Sequence, residues 1–171
     1  MKYHILLNKA FILFLALLFA VPITYAQESK KDKKQDKIVE IESLIQSKNF
    51  VFIAQSAIPA GGRNINLTSI YEVRLSGDTL ISDLPYYGRA YIAPMNASEG
   101  GIHFTSTQFS YNIKERKKGG WDITILPTDT KDVRQMFLTV AEEGYATLQV
   151  GSNNRQNISF SGYITSRNKF R

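Results

Sequence analysis

The 171-residue chain contains no cysteine. That absence excludes disulfide scaffolds, thiolate zinc sites, iron–sulfur clusters and cysteine nucleophiles. Histidine is almost as scarce, with only His4, inside the N-terminal stretch expected to be removed, and His103, so a Ser-His-Asp arrangement would have to be built on His103. No Asp-rich loop has calcium-binding spacing, and no second histidine supports a metal site. We therefore assign no catalytic residue, no metal and no cofactor. The glycine pairs Gly61-Gly62, Gly100-Gly101 and Gly119-Gly120 are not followed by a lysine and a helix at phosphate-loop spacing, and they read as turns. What is present is ample apolar material, 43% of residues, enough for one domain to close a core.

Long apolar runs are absent except at residues 10–21 (AFILFLALLFAV), which follow Lys2 and Lys9 and precede Thr24-Tyr25-Ala26. A charged start, a short apolar stretch and small residues at a cleavage point form an export signal, so residues 1–26 are expected to be removed and the mature chain to begin at Gln27. The run is shorter than the ~20 residues that span a bilayer. No cysteine follows it to take a lipid. The expected location is periplasmic or secreted, without an anchor and without a membrane-spanning segment after cleavage.

Charge is concentrated near the start. Residues 28–37 (ESKKDKKQDK) carry five lysines against three acids, a composition that cannot bury surface, and residues 27–37 are expected to be a solvated tether. The interspersed acids and the lack of aromatics argue against nucleic acid as a partner. Removing Lys2 and Lys9 lowers the formal charge from +6 to +4, and residues 38–171 hold 14 basic and 12 acidic side chains. The body is nearly neutral.

One helical period is visible, at residues 36–48, where Ile38, Ile41, Leu44 and Ile45 share a face and Asp36 is placed to cap it. From Phe50 the period becomes two. Phe109, Tyr111 and Ile113, a charged turn ending in Gly119-Gly120, then Trp121, Ile123 and Ile125 spell a hairpin with Trp121 on its buried face. Tyr71 to Leu75 and Thr79 to Ser82 flank the turn at Gly77. Met136 to Val140 and Ala146 to Val150 flank the Glu142-Glu143-Gly144 turn, and a turn at residues 151–155 leads to Ile158, Phe160 and Ile164. Roughly eight to ten short strands result, so the fold class is mainly β: an antiparallel β-sandwich or partly open barrel over residues 38–171, preceded by one amphipathic helix.

Residues 83–94 are the most distinctive stretch. Tyr86, Tyr87, Arg89 and Tyr91 lie between Pro85 and Pro94, and could present ring faces to a sugar or peptide with Arg89 taking an anion. In the structural alternative Tyr87 and Tyr91 pack inward and Arg89 pairs with a carboxylate such as Asp83; the expectation leans to that structural role. Three sequons (Asn66, Asn96, Asn157) and Asp78-Thr79-Leu80, similar to an O-glycosylation acceptor, are weak patterns.

The strings LPYYGRAY, YEVRLSGDTLISD, GGIHF and GYATLQVGSNNRQNISFSGYI, in this order and over residues 38–165, resemble domain of unknown function family 4251 of secreted or periplasmic Gram-negative proteins. The resemblance implies a single exported domain with no established activity. The lipoprotein cysteine frequent in that family has no counterpart here. It also directs attention to Leu84 to Arg89 and to Asn154-Arg155-Gln156, which adds Arg155 to Tyr86, Tyr87, Arg89 and Tyr91 as candidate ligand-binding residues. The expected function is a non-enzymatic binding or interaction module of the cell envelope, with a glycan, peptide or envelope protein as partner. The alternative is a carboxylate-dependent hydrolase acting on envelope glycans or peptides.

Overall fold

The computed structural model describes residues 22–91 and 100–169, with side chains from residue 32. The apolar run at residues 10–21, His4, Pro94 and the Asn96 sequon lie outside the described residues. Helix α1 (Pro22–Gln46) is followed by nine strands: β1 (Asn49–Pro59), β2 (Ile65–Ser76), β3 (Thr79–Leu84), β4 (Ile102–Ser106), β5 (Phe109–Glu115), β6 (Trp121–Pro127), β7 (Val133–Val140), β8 (Tyr145–Ser152) and β9 (Ile158–Thr165), and then a 3-10 turn at Arg167–Lys169. The fold is mainly β, as the alternation indicates. No helix among the described residues is long and apolar enough to cross a membrane.

All nine strands belong to one sheet in the order β4-β3-β2-β1-β9-β8-β7-β6-β5. A sandwich needs two facing sheets, so the single sheet decides for the partly open barrel. Each neighbouring pair is antiparallel, which leaves β4 and β5, at the two ends of a nine-strand order, running in the same sense. They therefore cannot close the barrel as a hairpin. Residues Thr107 and Gln108 instead join them as one bent path, whose first half pairs with β3 and whose second half pairs with β6. Nine strands less one gives eight paths, an even number, and antiparallel closure requires an even number.

The bend is pinned by Asp129. Its carboxylate accepts from the Ser106 hydroxyl, from the Thr107 amide at 2.9 Å and from the Gln108 amide at 3.2 Å. The Ser106 hydroxyl foremost, then the Thr107 amide, hold the Asp129 carboxyl below its ordinary range. This contribution is present above the usual carboxylate pKa and is lost as acid protonates Asp129.

Inward-facing residues of every strand meet in one filled interior that includes Phe50, Phe52, Leu75, Leu80, Ile123, Met136, Leu138, Leu148 and Phe160. β1 and β9 approach so closely beside the bulge in β1 that a Cβ on Gly162 would lie 1.8 Å from the Ile53 carbonyl oxygen. Only glycine fits there.

Lys37–Arg171 forms one compact unit, and the last ten residues of α1 belong to it. Ile41 and Ile45 are buried and Ile38 and Leu44 pack beside them. This is the face read from the sequence. They lie at the barrel end that carries the start of β1 and the Gly144 turn, where a Cβ on Gly144 would meet Ile41. The helix begins earlier than its apolar period, at Pro22 rather than near residue 36, so Asp36 lies within it instead of capping it. The Lys, Gln and Glu of the intervening stretch are good helix formers that need no apolar partner. Residues 32–36 are helical and exposed.

Tyr111 ties β5 to this helix: its hydroxyl donates to the Ile45 carbonyl at 3.0 Å, and Lys48 lies 5.5 Å from its ring centroid. Burial pushes the phenol well above its ordinary pKa. A phenol raised on folding stabilises the fold below its unfolded pKa of about 10 and loses that contribution as pH rises above it. Tyr111→Phe should cost about 1 kcal/mol at neutral pH by removing the hydrogen bond, and its gap from wild type should narrow between about pH 9.5 and 11 in urea melts. A gap that stays constant with pH would contradict the assignment.

Candidate functional site

The opposite end of the barrel carries the β1–β2 turn, the β6–β7 loop, the β8–β9 turn and the segment that leaves β3 at Pro85. Tyr86 and Tyr87 are half-buried and pack against the core. The Tyr86 hydroxyl lies 3.0 Å from the Gln156 carbonyl and 2.9 Å from the Arg89 carbonyl, which share its proton; burial raises its phenol. Ala90 forms an isolated antiparallel bridge with Arg155, the Tyr91 amide donates to the Asn154 carbonyl at 2.7 Å, and the Gln156 amide donates to the Arg89 carbonyl at 3.1 Å. Residues 89–91 thus run as a short strand along residues 154–156.

Arg155 holds this junction together. Its guanidinium pairs with Asp132 at 2.9 Å, donates to the Gly101 carbonyl at 2.8 Å and lies 5.2 Å from the Tyr86 ring centroid. Asp132 in turn accepts from the Asn154 amide at 3.1 Å. A planar fork can serve a carboxylate, a carbonyl and a ring face together, which an ammonium cannot.

The expected pairing of Arg89 with Asp83 is corrected by the register. Asp83 lies opposite His103 across β3 and β4, with the His103 Nδ1 2.7 Å from its carboxylate. Arg89 is exposed and has no side-chain partner among the described residues. Tyr91 is exposed rather than packed inward, since residues 89–91 are held by backbone bonds to a surface turn. Tyr86, Tyr87, Arg89, Tyr91 and Arg155 are therefore brought to one end of the barrel, but in two roles. Tyr86 and Arg155 are engaged within the fold, while Arg89 and Tyr91 face solvent.

Two cavities flank this segment. One, of about 270 Å³, lies between β4 and the β6–β7 loop and is lined by His103, Phe104, Asp129, Lys131, Asp132 and Arg155 among others. The two carboxylates in its described lining are each engaged, Asp129 by the bend and Asp132 by Arg155, and the lining His103 is paired with Asp83. The second, a wider cleft of about 530 Å³, lies between the Pro59–Gly62 turn and Tyr87, Gly88, Arg89 and Gln156. No carboxylate lines it among the described residues. No group of three or more His, Asp or Glu side chains among the described residues is placed to hold a metal.

The family described as Domain of unknown function (DUF4251) matches residues 32–164. The chain belongs to this family. A crystal structure of a DUF4251 family protein from Bacteroides eggerthii is similar to it in fold, with 17% sequence identity, a TM-score of 0.58, and coverage of 78% of this chain and 89% of that one. No curated protein matches the chain. Within the DUF4251 domain, sequence reasoning did not find Asp132 and Asp129, whose partners depend on strand register and loop path. The Asp83–His103 pair was equally hidden, because only the register places one opposite the other.

Proposed function

We propose that this DUF4251 protein is an exported, non-enzymatic binding module of the cell envelope, and that the cleft between the β1–β2 turn and Tyr87–Arg89 takes an anionic group of its ligand. The observation that carries this reading is the exposed Arg89 guanidinium, without a side-chain partner among the described residues, beside a cleft whose described lining holds no carboxylate. An exposed guanidinium presents its fork to a carboxylate without first breaking an internal ion pair. Tyr87 lines the same cleft and Tyr91 is exposed beside it, so both rings are placed to contact the ligand. Export is supported by the N-terminal charge, apolar run and small residues, with the mature chain beginning at Gln27. The hydrolase alternative is disfavoured because both carboxylates among the described residues lining the smaller cavity, Asp129 and Asp132, are engaged within the fold.

Arg89→Ala should leave the melting temperature nearly unchanged, as surface substitutions do within about 0.5 kcal/mol. Affinity for a galacturonate oligosaccharide or a glutamate-rich peptide, measured by calorimetry, should fall by about 2 kcal/mol, or roughly 30-fold. Two results would count against the reading: neither probe binding the wild type, or Arg89→Ala melting well below it.

A further inference from the structure

The outer face of β8 and β9 differs from an ordinary protein surface. Tyr145–Ser152 and Ile158–Thr165 contain no Asp, Glu, Lys or Arg at all, whereas a well-dispersed surface is about 25–35% charged. The inward residues of both strands are core. The outward ones are therefore not required for packing the interior. They are Tyr145, Thr147 and Gln149 on β8, all exposed, and Ser159, Ser161 and Tyr163 on β9, partly exposed.

Register sets these side chains in rows. Thr139 of β7 lies opposite Thr147, and Thr147 opposite Ser161; Gln149 lies opposite Ser159, and Tyr145 opposite Tyr163. Strands stand ~4.8 Å apart, so the hydroxyl and amide groups form a regular polar grid. Gln55 and Tyr145 border a shallow cleft of about 370 Å³ over the Thr139–Thr147–Ser161 row. Tyr145 is 65% exposed, an unusual position for a large aromatic ring. Arg116 also lines this cleft; its guanidinium lies 3.7 Å from the Asp122 carboxylate, which offsets its charge, and the Thr139 hydroxyl donates to Asp122 at 3.0 Å.

Hydroxyl and amide groups both donate and accept, and so do the hydroxyls of a sugar. A grid whose bordering Arg116 is offset by Asp122 offers little field to a phosphate backbone or an acidic membrane, while a free aromatic face suits the C–H face of a pyranose ring. We propose that the outer face of β7, β8 and β9 is a binding site for a neutral carbohydrate chain, with Tyr145 stacking on one ring and Thr147, Gln149 and Ser161 hydrogen-bonding its hydroxyls. A second copy of this chain fits the face less well. The outward positions of β8 and β9 contain no Leu, Ile, Val or Met and β7 adds the partly exposed Phe137 opposite Gln149, whereas homodimer interfaces are enriched in apolar area throughout. The site is on a different face from Arg89 and does not depend on the role given to that residue.

The test is a titration of isotope-labelled protein with neutral glucan, mannan and xylan hexasaccharides, followed by amide NMR and calorimetry. At least one should bind and perturb the Thr147, Gln149 and Ser161 amides. Tyr145→Ala should weaken it about tenfold, the worth of one ring contact, with an unchanged melting temperature, and Arg89→Ala should leave it unaltered. Thr147→Lys, a second solvent-facing change, should also weaken it. The proposal is overturned if no hexasaccharide binds below about 10 mM, if binding survives both variants, or if sedimentation finds a dimer that Thr147→Lys dissociates.

Discussion

Trp121→Ala is expected to cost about 3–5 kcal/mol of folding stability, the range for removing a large aromatic from a core. Trp121 is 5% exposed and points into the barrel at the first residue of β6. It lies opposite Glu115 on β5 and Val140 on β7, so its ring spans the level at which three strands are held together. The backbone before it has no slack to refill the space. Gly120 has φ +84°, and a Cβ there would stand 2.2 Å from the Val140 carbonyl oxygen, so the turn cannot shift inward without a clash. Urea melts followed by far-ultraviolet circular dichroism would measure the loss without relying on the fluorophore being removed. Trp121→Phe, which keeps much of the buried area, should lose distinctly less. A loss below about 1 kcal/mol for Trp121→Ala would mean that the ring lies at the surface in solution.

That prediction rests on a feature legible in the sequence, because alternation states which side chains face the core. Phe109, Tyr111 and Ile113 against Trp121, Ile123 and Ile125 gave the β5–β6 hairpin, and Ile38, Ile41, Leu44 and Ile45 gave the packed face of the helix. Alternation does not state which strands pair across long separations. The β1–β9 ladder, with Pro59 opposite Ile158, is what turns a row of hairpins into a barrel, and no local pattern encodes it. The shared path of β4 and β5 was hidden for the same reason. The start of α1 was missed because lysine, glutamate and glutamine carry helix propensity without an apolar period. At the candidate site, proximity along the chain suggested Asp83 for Arg89. The register gave Asp83 to His103, and the guanidinium that does hold a carboxylate is that of Arg155, reached from the far end of the sequence by the bridge to Ala90.

Arg155→Ala should destabilise the fold by about 2–3 kcal/mol, somewhat less than the loss expected when a fully buried ion pair is broken. The reduction follows from exposure: the Arg155 and Asp132 side chains are 16% and 22% accessible, so water partly compensates the carboxylate left behind. The Gly101 carbonyl and the Tyr86 ring lose their partner in the same step. Arg155→Lys should recover only a small part of the loss, because a point charge can restore the attraction to Asp132 but not the simultaneous contact with the carbonyl and the ring face. The effect should also be local in hydrogen exchange. The amides of Tyr91 and Gln156, which donate to Asn154 and Arg89, should exchange faster, while those of the β6–β7 ladder should change only through global stability. Arg89→Ala should leave the same two amides protected, since only its carbonyl takes part in the junction. Equal melting temperatures for wild type and Arg155→Ala would place the support of residues 86–91 elsewhere and leave Arg155 available, like Arg89, to meet a ligand.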